Sequence, residues 1–183
     1  MKTSREDIVE RAYPVFLAKG FEGATMATLV KASGLSKGAF YHYFPDKQSL
    51  FDACIERFFA GHVPISPAAD VGLADYVGGL CEGYAAALKE VQQLCGEPAA
   101  YLRFILDVVP SRRDGLVAVI AASRQALIDI LIREKGESHA GDAALRAERI
   151  LALIEGAGVI AAIADDPDPM GRFRRLLAPE LAV

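Results

Sequence analysis

Cysteine is scarce in this chain. Cys54, Cys81 and Cys95 are the three in 183 residues, and none has the paired spacing of a metal site. An odd, scattered set excludes a disulfide framework and points to buried free thiols in a reducing cytoplasm, with a redox sensor as the alternative. Long hydrophobic runs are missing too: the longest, Gly156 to Ala164, is far below the ~20 residues that span a bilayer. Met1-Lys2-Thr3-Ser4-Arg5 leads into a charged amphipathic segment rather than an apolar one, so no signal peptide is expected. No repeat or low-complexity tract occurs, and period-two alternation is absent, which removes strands from the expectation. His42, His62 and His139 are scattered, and no HExxH, GxSxG or phosphate-cradling glycine loop is present. The reading is a soluble cytoplasmic chain with no metal, no cofactor and no catalytic centre, and without a membrane partner.

Positive charge is also in deficit. The formal net charge is −4, but it is unevenly spread: residues 1–50 carry +2 and residues 51–183 carry −6. What the chain does have is apolar content, 52%, in patterns that fit helices throughout and a substantial core. Thr3-x-x-Glu6 reads as a capping box opening a first helix that runs to about Lys19 and stops at Gly20. Pro14 falls inside that helix and is expected to kink it, although it lies off the Ile8–Ala12–Phe16 stripe.

The stretch Thr25 to Lys47, TMATLVKASGLSKGAFYHYFPDK, carries most information. Thr25 caps a short helix with Leu29, Val30 and Ala32 on its apolar side, and Gly34 ends it in the left-handed conformation. Ser36 caps the next helix, Lys37 to Phe44, which Pro45 terminates. Two short helices about a tight turn, over residues 25–44, make a helix-turn-helix, whose second helix enters the DNA major groove. Phe40 and Phe44 share one face, leaving Lys37, Tyr41 and His42 for solvent or a partner. Gly38 and Ala39 leave the helix start nearly bare.

These residues resemble the DNA-binding domain of TetR-family (tetracycline-repressor-like) transcriptional regulators. The matching elements are Lys19-Gly20-Phe21, Thr25, Ala32-Ser33-Gly34-Leu35-Ser36, Lys37-Gly38-Ala39-Phe40-Tyr41-His42-Tyr43-Phe44 and Lys47, within about the first 50 residues. Ala27 departs from the pattern, where many relatives have a basic or polar side chain. The resemblance implies an all-α chain of about nine helices. It places a three-helix DNA-binding domain at residues 1–61 and a C-terminal ligand-binding and dimerisation domain at 62–183. It implies that Lys37, Gly38, Ala39 and His42 approach bases, and that Thr25, Ser36, Tyr41, Tyr43 and Lys47 hold phosphates of a palindromic double-stranded operator. A homodimeric repressor released by a small-molecule effector follows by the same implication, as does catalysis being absent.

Beyond residue 61 the punctuation predicts helices over 71–94, 98–109, 112–135, 142–164 and 168–178, with a loop over 62–70 and a break over 136–141. Segment 142–164 is apolar on several sides, and Gly156, Ala157 and Gly158 allow close approach of another helix. With 168–178 it is the expected dimer contact, burial within one subunit being the competitor. Tyr84, Tyr101, Phe104, Val108, Ile120 and Arg124 are the candidate effector residues, against the plainer reading of ordinary core and solvated arginine. Asp165, Asp166 and Asp168 lack a complete cation-loop pattern and read as a turn.

Overall fold

The computed structural model describes residues 4–62, 70–135 and 140–182. Among them are eight α-helices and no strand: α1 (Arg5–Gly23), α2 (Met26–Ser33), α3 (Lys37–Tyr43), α4 (Lys47–His62), α5 (Leu73–Cys95), α6 (Ala100–Lys135), α7 (Ala140–Ile163) and α8 (Pro169–Leu181). Most of the expected loop at 62–70 and break at 136–141, with His139, lies outside the described residues.

The first helix opens one residue later than the sequence pattern suggests. Ser4 is the N-cap: its Oγ accepts from Asp7 N at 3.1 Å, and Asp7 Oδ2 accepts from Ser4 N at 2.8 Å. Ser4-x-x-Asp7 and Thr3-x-x-Glu6 are overlapping registers of the same motif, and the shorter acid closes the box; Thr3 lies outside the described residues. Pro14 does not break the helix. The departure from helical backbone in α1 falls at Gly20, with φ 70 and ψ 171, a left-handed value that favours glycine.

The predicted helices 98–109 and 112–135 are one helix, α6. Pro110 lies inside it, and the backbone departs from helical values at Arg112, φ −129 and ψ 18. A proline removes only its own bond to the carbonyl four residues back, here Leu106. The helix therefore bends and continues.

The chain divides into two compact units, Met1–His62 with Lys89–Pro110, and Val63–Leu88 with Ser111–Val183. Segment 89–110, which the sequence reading places beyond its domain boundary, thus groups with the first unit. The reason is aromatic packing. Phe104 is 1% exposed and lies 5.7 Å from Phe51, 5.2 Å from Phe58 and 5.6 Å from Tyr13, ring centre to ring centre. Polar ties reinforce it: Arg57 of α4 bonds Glu10 of α1 at 2.6 Å and Glu90 of α5 at 2.8 Å. Burial works against the Arg57 charge, but the two carboxylates outweigh it and hold the guanidinium charged more firmly than usual.

The second unit packs Leu73, Val77 and Cys81 of α5 against Leu127 and Leu131 of α6, Ile150 and Ile154 of α7, and Phe173 and Leu177 of α8. Asp168 caps α8, accepting from Gly171 N at 2.9 Å. Asp166 accepts from Asp168 N and from Arg172 Nε at 3.0 and 2.7 Å. The aspartate cluster is thus a cap and a turn, and no metal-holding group of side chains occurs among the described residues.

Candidate nucleic-acid interface

Three hydroxyls fix α2, α3 and the turn between them. Thr25 Oγ1 accepts from Thr28 N at 3.2 Å and starts α2. Ser33, 1% exposed, donates from Oγ to Val30 O at 2.7 Å and accepts from Leu35 N at 3.2 Å. Ser36 Oγ accepts from Ala39 N at 3.3 Å and starts α3. Between them Gly34 sits at φ 72. A Cβ there would lie 3.0 Å from Arg11 Nη1, the group that donates to Ser33 O at 2.6 Å. Arg11 of α1 thereby takes up a carbonyl that the end of α2 leaves open.

The turn presents α3 with one face inward. Phe40 is 0% and Phe44 1% exposed, and Arg5 lies over the Phe44 ring at 4.9 Å. Lys37, Gly38, Ala39, Tyr41 and His42 are exposed, and Tyr43 is half-buried. Lys37 Nζ lies 6.0 Å from the Tyr41 ring centre, and His42 and Tyr43 meet edge-on at 5.5 Å. A Cβ added to Gly38 would meet nothing within 4 Å, so this glycine is not demanded by packing or by its backbone angles. Nine consecutive positions, Ser36 to Phe44, thus split into a buried phenylalanine pair and an outward set of an ammonium, a phenol and an imidazole, with the Tyr43 phenol half-buried beside them. That outward set can donate to phosphates and to the acceptor edges of bases.

Thr25 and Ser36 are exposed, beside that face in sequence. Lys47 is placed differently from the expectation of a free phosphate ligand: its Nζ donates to Phe21 O at 2.7 Å and lies 4.2 Å from the Phe21 ring centre. Sequence reasoning missed Arg11, Arg103 and Asp107, which hold the helix ends and joints of this unit. No local pattern announces them, since their partners are 22 to 86 positions away.

The six expected effector residues are not alike. Phe104 and Val108, 1% and 0% exposed, are core of the first unit, to which Tyr101 also belongs. In the second unit Tyr84 packs on Phe173 at 5.9 Å, Arg124 bonds Glu148 at 3.0 Å, and Ile120 is 56% exposed. A cavity of about 370 Å³ in this unit has Leu131, Asp142, Arg146 and Glu180 among its walls and none of the six. Arg146 is committed there to the carbonyls of Glu180 and Ala182.

On α7 the exposed positions Leu145, Arg149, Ala152, Gly156, Ile160 and Ile163 fall at spacings of three and four, one stripe of the helix. Leu145, Ile160 and Ile163 are 55%, 51% and 68% exposed, and Leu176 of α8 is 42% exposed. Gly156 faces open space, whereas Gly158 is covered by the Tyr84 ring.

Comparison with known proteins agrees with this geometry. Residues 4–54 match the family described as bacterial regulatory proteins, tetR family. The chain is 37% identical over 79 residues to the HTH-type transcriptional repressor AcnR of Corynebacterium glutamicum, covering 43% of this chain and 41% of that protein. It is 34% identical over 59 residues to the repressor NemR of Escherichia coli K12, covering 32% and 30%. These matches therefore span about two fifths or less of the relatives' length. The crystal structure of reduced E. coli NemR superposes with a TM-score of 0.62 at 23% identity, over 97% of each chain, and shows the same fold. Over residues 4–54, which hold the helix-turn-helix and its outward face, the chain is thus similar to bacterial regulatory proteins of the tetR family.

Proposed function

We propose that the chain is a dimeric, sequence-specific DNA-binding repressor of the cytoplasm, released from a palindromic operator by a small-molecule effector. The observation that carries the DNA-binding reading is the outward set on α3, with Lys37 and Tyr41 exposed over a buried Phe40 and Phe44. Lys37, Gly38, Ala39 and His42 meet base edges in the major groove, while Thr25, Ser36, Tyr41 and Tyr43 hold phosphates. Lys47, which the resemblance alone assigns to phosphate, is left out of this set because its ammonium is engaged at Phe21. The repressor names of the AcnR and NemR relatives support the regulatory sense.

Dimerisation is supported by the free apolar stripe of α7 and by Leu176 of α8. Two reading helices must lie about 34–36 Å apart, or a multiple, to enter successive major grooves. Burying the stripe against a second copy supplies both the spacing and the affinity that a head of charge +2 lacks. Effector release needs only a ligand that prefers the non-binding spacing, by about 1–3 kcal/mol of coupling. Tyr84, Ile120 and Arg124 are the effector residues retained from the sequence reading in the second unit; Tyr101 is half-buried in the first, and Phe104 and Val108 have no surface to offer.

Selection of bound sequences from random DNA by the full chain tests the reading. Enrichment of a palindrome with half-sites one or two helical turns apart is the expected result. Enrichment of nothing, at salt low enough for nonspecific binding, defeats it.

A further inference from the structure

The helical backbone of α1 is interrupted at Gly20, and Phe21 follows directly after the interruption. Charged side chains from two other helices take up its N–H and its carbonyl. Asp107 of α6 accepts the Phe21 N–H on Oδ2 at 2.7 Å. Lys47, the first residue of α4, donates to Phe21 O at 2.7 Å. The Phe21 ring lies 4.9 Å from Phe51 and 6.4 Å from Phe16. One turn before Asp107, Arg103 donates to Leu17 O at 3.1 Å and Ala18 O at 2.8 Å, the closing carbonyls of α1. A Cβ on Gly20 would lie 3.1 Å from Asp107 Oδ2 and 3.4 Å from Arg103 Cδ. All these residues belong to the first unit.

The joint matters because of what comes after it. Phe21 is four positions ahead of Thr25, the cap of α2, and α2 is fixed to α3 through Ser33 and Gly34. A rotation at Phe21 is therefore carried through α2 to the outward face of α3. Charge-assisted hydrogen bonds are about twice as strong as neutral ones. Here one on each side of a single residue stops that rotation.

We infer that Lys47 and Asp107 are positioning residues for DNA recognition, bracing Phe21 at its N–H and its carbonyl so that α2 and α3 are presented at one fixed angle. The inference rests on the DNA-binding reading above. It gives the Lys47 ammonium a task inside the fold, and it gives a role in recognition to a carboxylate that phosphate would repel.

The test compares the full chain with Lys47→Gln, Asp107→Ala, Asp107→Asn and the Lys47→Gln/Asp107→Ala pair, binding the selected operator over a salt series, with Lys37→Ala as comparator. Lys47→Gln lowers affinity about tenfold and leaves the slope of log affinity against log salt unchanged, whereas Lys37→Ala lowers that slope by about one. Asp107→Ala also lowers affinity about tenfold, although it removes negative charge, and Asp107→Asn recovers most of it because an amide oxygen still accepts the Phe21 N–H. The pair is little weaker than either single variant, since both hold one residue. A reduced slope in Lys47→Gln, or unchanged or tighter binding by Asp107→Ala, overturns the inference. Should the parent chain bind no DNA, the regulator reading itself falls. The brace is then judged by thermal unfolding: non-additive losses in Tm uphold a shared grip on Phe21, and additive or absent losses refute it.

Discussion

The Tyr84 ring lies directly on Gly158, in the place that a Cβ on that glycine would take. The contact joins α5 to α7 within the second unit, with Phe173 of α8 edge-on to the same ring at 5.9 Å. Gly158 is thus the seat of an aromatic side chain in its own subunit. Gly156, two positions earlier, is the glycine with open space before it.

Gly158→Ala is therefore expected to destabilise the chain by about 1–3 kcal/mol, the usual cost of overpacking a filled core. Urea unfolding measures it. Tyr84→Leu in the same chain should return part of the loss by vacating the seat. Equal stability of Gly158→Ala and the parent would mean that the ring moves aside freely.

Gly38→Ala should behave in the opposite way. Nothing occupies the space its Cβ would take, and alanine favours the helix by roughly 0.5–1 kcal/mol over glycine. Stability should rise slightly while operator affinity falls at least tenfold, because the added methyl stands where the duplex approaches. A variant that binds as tightly as the parent would remove Gly38 from the interface.

Ile160→Glu and Ile163→Glu place a charge on the free stripe of α7, where the native side chains are 51% and 68% exposed. Monomer stability should change little, as surface substitutions usually stay within about 0.5 kcal/mol. Sedimentation should show a dimer becoming a monomer, with loss of binding to the full palindrome. A dimer that persists in both variants would locate the interface elsewhere.

Burial pushes the Cys54 thiol up to about 12 and the Cys81 thiol up to about 11, from an ordinary value of 9.0. Both folded-state values are raised, so the native chain keeps two protons that the unfolded chain releases above about pH 9. The stability tied to them is complete below that pH and is lost as pH rises toward 11 to 12, with a slope of up to about 1.4 kcal/mol per pH unit per thiol. Urea unfolding at pH 8 and pH 10 should show the decline, and a Cys54→Ala/Cys81→Ala pair should flatten it. In the native chain at pH 8, iodoacetamide should reach half-buried Cys95 before either.

Much of the reading head was legible because its signals are local. Thr25 and Ser36 announce helix starts through short side chains that accept from backbone N–H groups three positions on. Gly34 announces its turn through a backbone angle that other residues resist. The phenylalanine pair Phe40 and Phe44 follows from helical spacing alone. Pro110 misled, since a proline removes one hydrogen bond and a long helix with many others absorbs the loss. The partnerships of Lys47 and Asp107 were illegible for a different reason: charge reveals that a side chain is polar, and tertiary structure decides whether it faces a solvent ion or a peptide across the fold. Phe104 was ambiguous likewise, an aromatic residue at helical spacing whose cavity belongs to a distant stretch of chain.

That placement of Phe104 bears on how the protein can be dissected. A fragment cut after His62 would keep the motif yet lose the side chain that fills the hollow between Phe51, Phe58 and Tyr13, together with the acid that neutralises Arg57 from α5. Leaving that hollow unfilled sacrifices about 2–3 kcal/mol of burial for the one ring. A shorter version that folds would need the sequence through Pro110, nearly twice the length of a fragment cut at His62.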